Sequence, residues 1–456
     1  MRATTVGGRG SAMGEEREAF AAELRRLRAS AGVSLGELAT RVHANRGYLG
    51  HVEHGQRWPS QTVVKALDDA LGAGGLLLAA WSAADATKRP TQTQEAADGA
   101  LSLPVDEWTA PDATTLAERL TAGGDIALHP AAARRLVHEW LVAEPPQTVE
   151  ITAGRRVGAG MAETVARRVA QLRRVDDYIA GRDLRPLVER ELAVTGALLH
   201  EAAYTDAVGR ALLAAVAELC QLAGWVAADA GAPERATRYH LLGVHAAHAA
   251  GDRPTAANLV STLAYQVANI GDPHEAVLIS RSAVSGIGGH ATATTRALLS
   301  ERVAWAHARA GETRHTERAL STVDTEYDRR RPADDPLWVY WLDSDEITVM
   351  AGRCYVELGQ PDRAIPLLTD VLRRYDARQA RETALYTSWL AEAHLQAGDV
   401  EHAAALAERT LDLTGSINSS RGDDRVALLA RQLEPHRAVQ EVRPFLERVD
   451  AASASA

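Results

Sequence analysis

The stretch SLGELATRVHANRGYLGHVEHGQRWPS, residues 34–60, reads as a helix, a four-residue turn and a second helix. Ser34 is a capping residue, and Leu35, Leu38, Ala39 and Val42 mark one face of the helix 35–42 that follows it. Asn45 is a second capping residue, placed before a helix at 46–54. Two short helices joined this tightly form a helix-turn-helix pattern.

The helical period sorts the second helix into two faces. Leu49 and Val52 point inward with Tyr48 beside them, while Arg46, Gly47, Gly50, His51 and His54 share the opposite stripe. A helix that reads DNA needs such an outer stripe. Arg46 can offer its guanidinium fork to the two major-groove acceptors of a guanine, and His51 can donate or accept at a neighbouring base. Gly47 and Gly50 are expected to let the backbone approach the duplex. Around this pair, a helix at 15–31 carries Phe20, Leu24 and Leu27 on one face. A fourth helix at 59–71 carries Val63, Val64, Leu67 and Leu71, and a fifth runs over 76–81. The expectation is a five-helix head at 15–81, preceded by a disordered arm at 1–14.

At 456 residues the chain is too long for one ordinary domain. Its net charge of −10 is unevenly held. The head is neutral, with eight acidic and eight basic residues, and two arginines precede it, so the remainder carries −12. An acidic body with a neutral head implies weak, salt-sensitive non-specific binding to nucleic acid, so specific contacts must matter more. Lys65 and Lys88 are the only lysines. The two cysteines, Cys220 and Cys354, lie far apart in apolar helical stretches and are expected to be buried, inert thiols. No unbroken apolar run of membrane-spanning length and no secretory leader is apparent, so a cytoplasmic protein is expected, nucleoid-associated when bound to DNA.

Beyond the head, residues 82–110 lack periodicity and read as a linker, and 111–157 as an intermediate segment with helices at 112–121 and 130–142. From 158 to 456 everything is helical by period. Gly231, Gly271, Gly311, Gly359 and Gly398 each separate two apolar helices. Five residues after them come Ala236, Ala276, Thr316, Ala364 and Ala403; seven before them come Gly224, Ala264, Ala304, Gly352 and Ala391. Small residues at both positions let paired helices cross closely, the logic of a tetratricopeptide-like repeat. Helices at 161–179 and 184–199 would cap one end of the array, and 423–449 the other. One step between glycines is longer than the rest and holds Arg329, Arg330, Arg331, Trp338, Tyr340 and Trp341. Arg330, Arg331, Trp338, Tyr340 and Trp341 are therefore candidates for a ligand or partner surface, with gap-filling between helices as the competing role for the tryptophans.

No phosphate-binding glycine loop, catalytic triad or metal-ligand spacing stands out, so neither enzymatic activity nor a cofactor is expected. His245 and His248 share a helix face, but no carboxylate or cysteine at ligand spacing joins them.

Ser34, Glu37, Leu38, Ala39, Tyr48, Leu49, Val52, Glu53, Gly55, Arg57, Pro59 and Ser60 together resemble the Cro/CI/Xre family of helix-turn-helix proteins. That resemblance implies base-facing positions at Arg46, Gly47 and His51, and phosphate-facing positions at Asn45, Tyr48, Arg57 and Ser60. Two departures are His43, at a turn position usually held by glycine, and Leu35, at a position often polar. The whole chain resembles actinobacterial Xre-type regulators with a C-terminal tetratricopeptide domain, through Ala217–Arg238 and Trp338–Cys354 in particular. The resemblance implies transcriptional control. A complete head joined by a linker to a superhelix leads to the expectation of an all-α regulator that binds an inverted-repeat operator in double-stranded DNA as a homodimer, with repeats that sense a small molecule or peptide, mediate dimerisation, or both. Two alternatives stand beside it: repeats that dock a protein partner without a ligand, and a scaffold whose head no longer binds DNA.

Overall fold

A computed structural model describes residues 10–42, 46–53, 59, 61–78, 81, 103–104, 106–121, 130–179, 181–375, 380–415 and 420–455. Among the described residues the chain is all-α but for two two-residue strands, and it divides into two compact units, Met1–Ala100 and Leu101–Ala456.

The first unit contains α1 (Gly10–Ser30), α2 (Leu35–Arg41), α3 (Arg46–Glu53) and α4 (Gln61–Leu71), with further helical residues at 76–78 and at 81. Phe20, Leu24, Leu38, Leu49, Val52, Val64, Leu67 and Leu77 are its buried core, close to the set expected from the helical period. α1 opens at Gly10, so residues 10–14, expected to belong to a disordered arm, continue the helix. Ser11, Ala12 and Met13 contain no helix breaker, and Gly14, the one glycine inside this stretch after the opening Gly10, does not stop a helix of this length.

The second unit begins with α5 (Ala110–Thr121), α6 (Pro130–Val142), β1 (Arg155–Arg156), α7 (Ala159–Asp176), α8 (Gly181–Glu201) and β2 (Ala202–Ala203), β1 and β2 pairing in parallel. Six helix pairs follow: α9 (Asp206–Asp229) with α10 (Pro233–Ala250), α11 (Arg253–Ile270) with α12 (Pro273–Ile287), α13 (Ala293–Arg309) with α14 (Thr313–Asp328). Next come α15 (Ser344–Glu357) with α16 (Pro361–Leu372), α17 (Ala380–Gln396) with α18 (Val400–Thr414), and α19 (Ser420–Leu433) with α20 (Val442–Ser455). The first helix of each pair also packs on the first helix of the next. α9 is long and apolar enough to cross a membrane, which a search for an unbroken apolar run overlooks. It is the unit's core helix, with 67% of its most apolar window buried.

All five singled-out glycines fall at the turn inside a pair. Gly231, Gly311, Gly359 and Gly398 have φ of 77°, 73°, 64° and 82°, a left-handed conformation that only glycine adopts at little cost. Gly271, at φ −121°, turns differently. The flanking small residues are all buried, and the reason is visible at Gly352, where an added Cβ would lie 2.8 Å from Leu368 Cγ. At Gly224 an added Cβ would strike the buried His240 ring, whose pKa burial pushes down to about 3.

The boundaries expected at 110 and 157 do not separate units. Leu103, Trp108, α5, α6, Val149 and Ile151 share one core with α8 to α12. Trp108 is buried, and its indole donates to the Tyr204 hydroxyl at 3.2 Å. An extended stretch laid over a core has no helical period, which is why its two anchoring residues look like linker. α6 docks on α10 and α12, where Gly286 leaves room for the Trp140 indole.

The last pair returns to the start of the series. Asp229, at the end of α9, is 1% exposed and takes Arg421 Nε on Oδ1 at 2.6 Å and the Gly181 amide on Oδ2 at 2.8 Å. The Ser420 hydroxyl donates to the Asp229 carbonyl at 2.8 Å. Nearby, Arg381 approaches Asp176 to 3.7 Å, and burial raises that carboxyl to about 6.

Candidate nucleic-acid interface

Ser34 holds extended backbone at φ −69° and ψ 155° and closes α2 with a reciprocal cap: its hydroxyl accepts from the Glu37 amide at 3.2 Å, and its own amide donates to the Glu37 carboxylate at 2.8 Å. α2 packs on α3 and α4, and α1 also packs on α3. The second helix of the motif is thereby held by α1 and α2.

An ion pair also restrains α3. Arg28, near the end of α1, donates through Nε to Glu53 Oε1 at 2.5 Å and through Nη2 to Oε2 at 3.1 Å. Its Nη1 also satisfies the Val33 carbonyl at 3.1 Å. Glu53 is 3% exposed, at the end of α3 beside Val52. The helical period of α1 does not announce this bond. The available signal was an acidic residue one step from the inward Val52, which needs a cation to be buried. Asp68 was missed as well: its buried carboxylate accepts from the amides of Gly75 at 2.6 Å and Leu77 at 2.8 Å, capping the helical residues after α4. The Trp81 indole donates to the Pro59 carbonyl at 2.9 Å, tying the end of the head to the start of α4.

With Leu49 and Val52 buried, Gly47 and His51 stand on the opposite side of α3, and His51 is exposed. Arg46 and Tyr48 lie in the first turn of the same helix. Asn45, Arg57 and Ser60, like His43 and His54, lie outside the described residues. Gly50, which the helical period places on the outer stripe, instead faces α2, and an added Cβ would sit 3.7 Å from Leu35 Cδ2, an ordinary contact. Leu35, partly buried, is accordingly a packing residue between the two helices. Gly50→Ala is therefore expected to stabilise the head by about 0.5–1 kcal/mol through helix propensity, measurable as a higher denaturation midpoint.

The residues expected to form a ligand or partner surface in the second unit are dispersed. Trp338 is 3% exposed and packs with Leu298, Val323, Leu342 and Ile347, filling the gap between helices. The Tyr340 hydroxyl donates to Asp177 Oδ1 at 2.6 Å, and Arg174 lies 3.8 Å over its ring, so it fastens the junction after α7. Trp341 is partly buried, with Arg302 5.6 Å above it. Arg330 stacks on Tyr327 at 3.9 Å, and Arg331 is exposed. Elsewhere Trp225, Tyr265, Trp305 and Trp389, from α9, α11, α13 and α17, form a ladder with ring centroids 5.7–6.2 Å apart. Arg421, Arg302, Arg353 and Arg425 lie over its rings. His245 packs against Trp108, and His248 Nε2 meets the Pro104 carbonyl at 3.1 Å, so both serve the packing of the unit's first residues.

No curated protein matches the chain. Residues 19–81 match a family model described as a helix-turn-helix domain, and the amino-terminal unit is accordingly a helix-turn-helix domain, the fold that suits this chain to bind DNA.

Proposed function

We propose that this chain is a sequence-specific transcriptional regulator of the Xre type, acting in the cytoplasm on an inverted-repeat operator as a homodimer. The observation that carries the reading is α3: anchored by Leu49, Val52 and Glu53, it leaves His51 exposed. Arg46 and His51 read base edges beside the small Gly47, while Asn45, Tyr48, Arg57 and Ser60 contact phosphates and set register. The helix pairs act as a tetratricopeptide-like domain that senses a small molecule or peptide, holds the dimer together, or both. The small buried residues at corresponding positions of successive pairs support that assignment.

Arg46→Ala is expected to cost about 1–3 kcal/mol on the preferred operator and to relax preference at one base pair, whereas Arg57→Ala weakens all sequences alike. Binding measured on the operator and on single-base variants distinguishes the two, and equal losses on every sequence for Arg46→Ala would remove it from the reading position. A second reading, with repeats that dock a protein partner and hold no ligand, is favoured by the ladder, whose rings are already covered by the chain's own arginines. Recovery of a stoichiometric protein partner together with an empty ligand screen would select it.

A further inference from the structure

Four of the turns inside helix pairs close in the same way. The amide following the glycine bonds the carbonyl five residues back, at 2.9 Å in each case: Ala232 to Ala227, Glu312 to His307, Gln360 to Tyr355, and Asp399 to His394. This closure brings the two side chains at its ends together, normally as an apolar contact. In α13/α14 and in α17/α18 the contact is instead an imidazole on a carboxylate. His307 Nδ1 lies 2.5 Å from Glu312 Oε2, and His394 Nδ1 lies 3.2 Å from Asp399 Oδ2. A second imidazole joins each from the first turn of the next helix. His315 Nδ1 is 3.9 Å from Glu312 Oε2, and His402 Nδ1 is 3.5 Å from Asp399 Oδ2. The His307 and His315 rings stack with centroids 5.0 Å apart, and the His394 and His402 rings, tilted by 33°, have centroids 4.0 Å apart.

The turn itself does not require this chemistry. In α15/α16, between the two, the same three positions are Tyr355, Gln360 and Arg363, and the guanidinium stacks on the phenol ring at 3.9 Å. Two of these turns thus repeat one spacing of histidine, carboxylate and histidine that the backbone leaves optional.

We propose that His307, Glu312 and His315, and likewise His394, Asp399 and His402, each bind a divalent transition-metal ion of the zinc class, with water completing the coordination. Two neutral imidazoles and one carboxylate suit such an ion far better than Mg2+ or Ca2+, which take oxygen ligands. The three ligand atoms of each group already lie within 4.8 Å of one another. Tetrahedral coordination needs separations of about 3.4 Å, within reach of a rotamer change at the more exposed His315 and His402. The first site has a further nitrogen within range. His274, in the first turn of α12, places Nδ1 3.9 Å from Glu312 Oε1. An ion there joins two successive helix pairs, whereas the second site ties the two helices of one pair.

The test is calorimetric titration of the full-length, tag-free, chelator-treated protein with Zn2+ alone, beside His315→Gln, His402→Gln and the double variant. The native chain is expected to take two ions with Kd of about 10 µM or tighter, each single variant one, and the double variant none in that range. His274→Gln is expected to keep both ions and weaken one by about tenfold or more. Unchanged helical circular dichroism in the metal-free variants separates ligand loss from misfolding. Absence of binding by the native chain, or two ions retained by the double variant, would overturn the proposal.

Discussion

Asp229→Ala is expected to destabilise the second unit by about 4 kcal/mol, the scale for breaking a buried ion pair by deleting one partner. The carboxylate is buried, and both oxygens are used, one by Arg421 and the other by the Gly181 amide. Deletion leaves the Arg421 guanidinium and the Gly181 amide without that acceptor at once. The loss also reaches far along the chain, because this residue joins the end of α9 to the first turns of α8 and α19. Urea unfolding followed by circular dichroism measures the effect. A change below about 1 kcal/mol would mean that the contacts at this junction are replaceable by water.

Glu53→Ala is expected to cost the head about 3 kcal/mol, at the lower end of the same range because Arg28 keeps 24% of its side chain exposed. The consequence differs from that of Asp229→Ala. Without Glu53, α3 retains Leu49 and Val52 against the core but loses the bond that fixes its far end to α1. Hydrogen exchange of the α3 amides should rise while that of the helix pairs stays as it was. Replacing both partners together, Arg28→Met with Glu53→Leu, should recover much of the stability, since no buried charge is then left alone. If Glu53→Ala leaves exchange in α3 unchanged, apolar packing alone positions this helix.

These two residues also mark the limit of what the sequence discloses. The helix-turn-helix was legible because its requirements are local: a cap at Ser34, apolar periods on α2 and α3, and a proline before α4. The helix pairs were legible for a similar reason, since glycine at 231, 311, 359 and 398 meets a backbone demand that few other residues satisfy. Arg28 with Glu53 and Asp229 with Arg421 are separated by 25 and 192 residues, and no local period links such partners. Trp108 looked like linker because an extended stretch buries one side chain at a time. Whether Trp338 and Tyr340 line a surface or fill a gap is not legible, because a cluster of aromatics has the same composition in either role. Gly50 was assigned to the outer stripe by period alone, and the approach of α2 decided otherwise.

The central claim is that α3 reads a DNA sequence and that two copies do so together. The most direct measurement is selection of bound fragments from a random DNA pool by the purified full-length protein at near-physiological salt. An inverted repeat with half-sites about one helical turn apart, ~34 Å, is the predicted outcome, with preference lost in an Arg46→Ala, His51→Ala variant. Recovery of no preferred sequence, or of a preference that this variant retains, would contradict it.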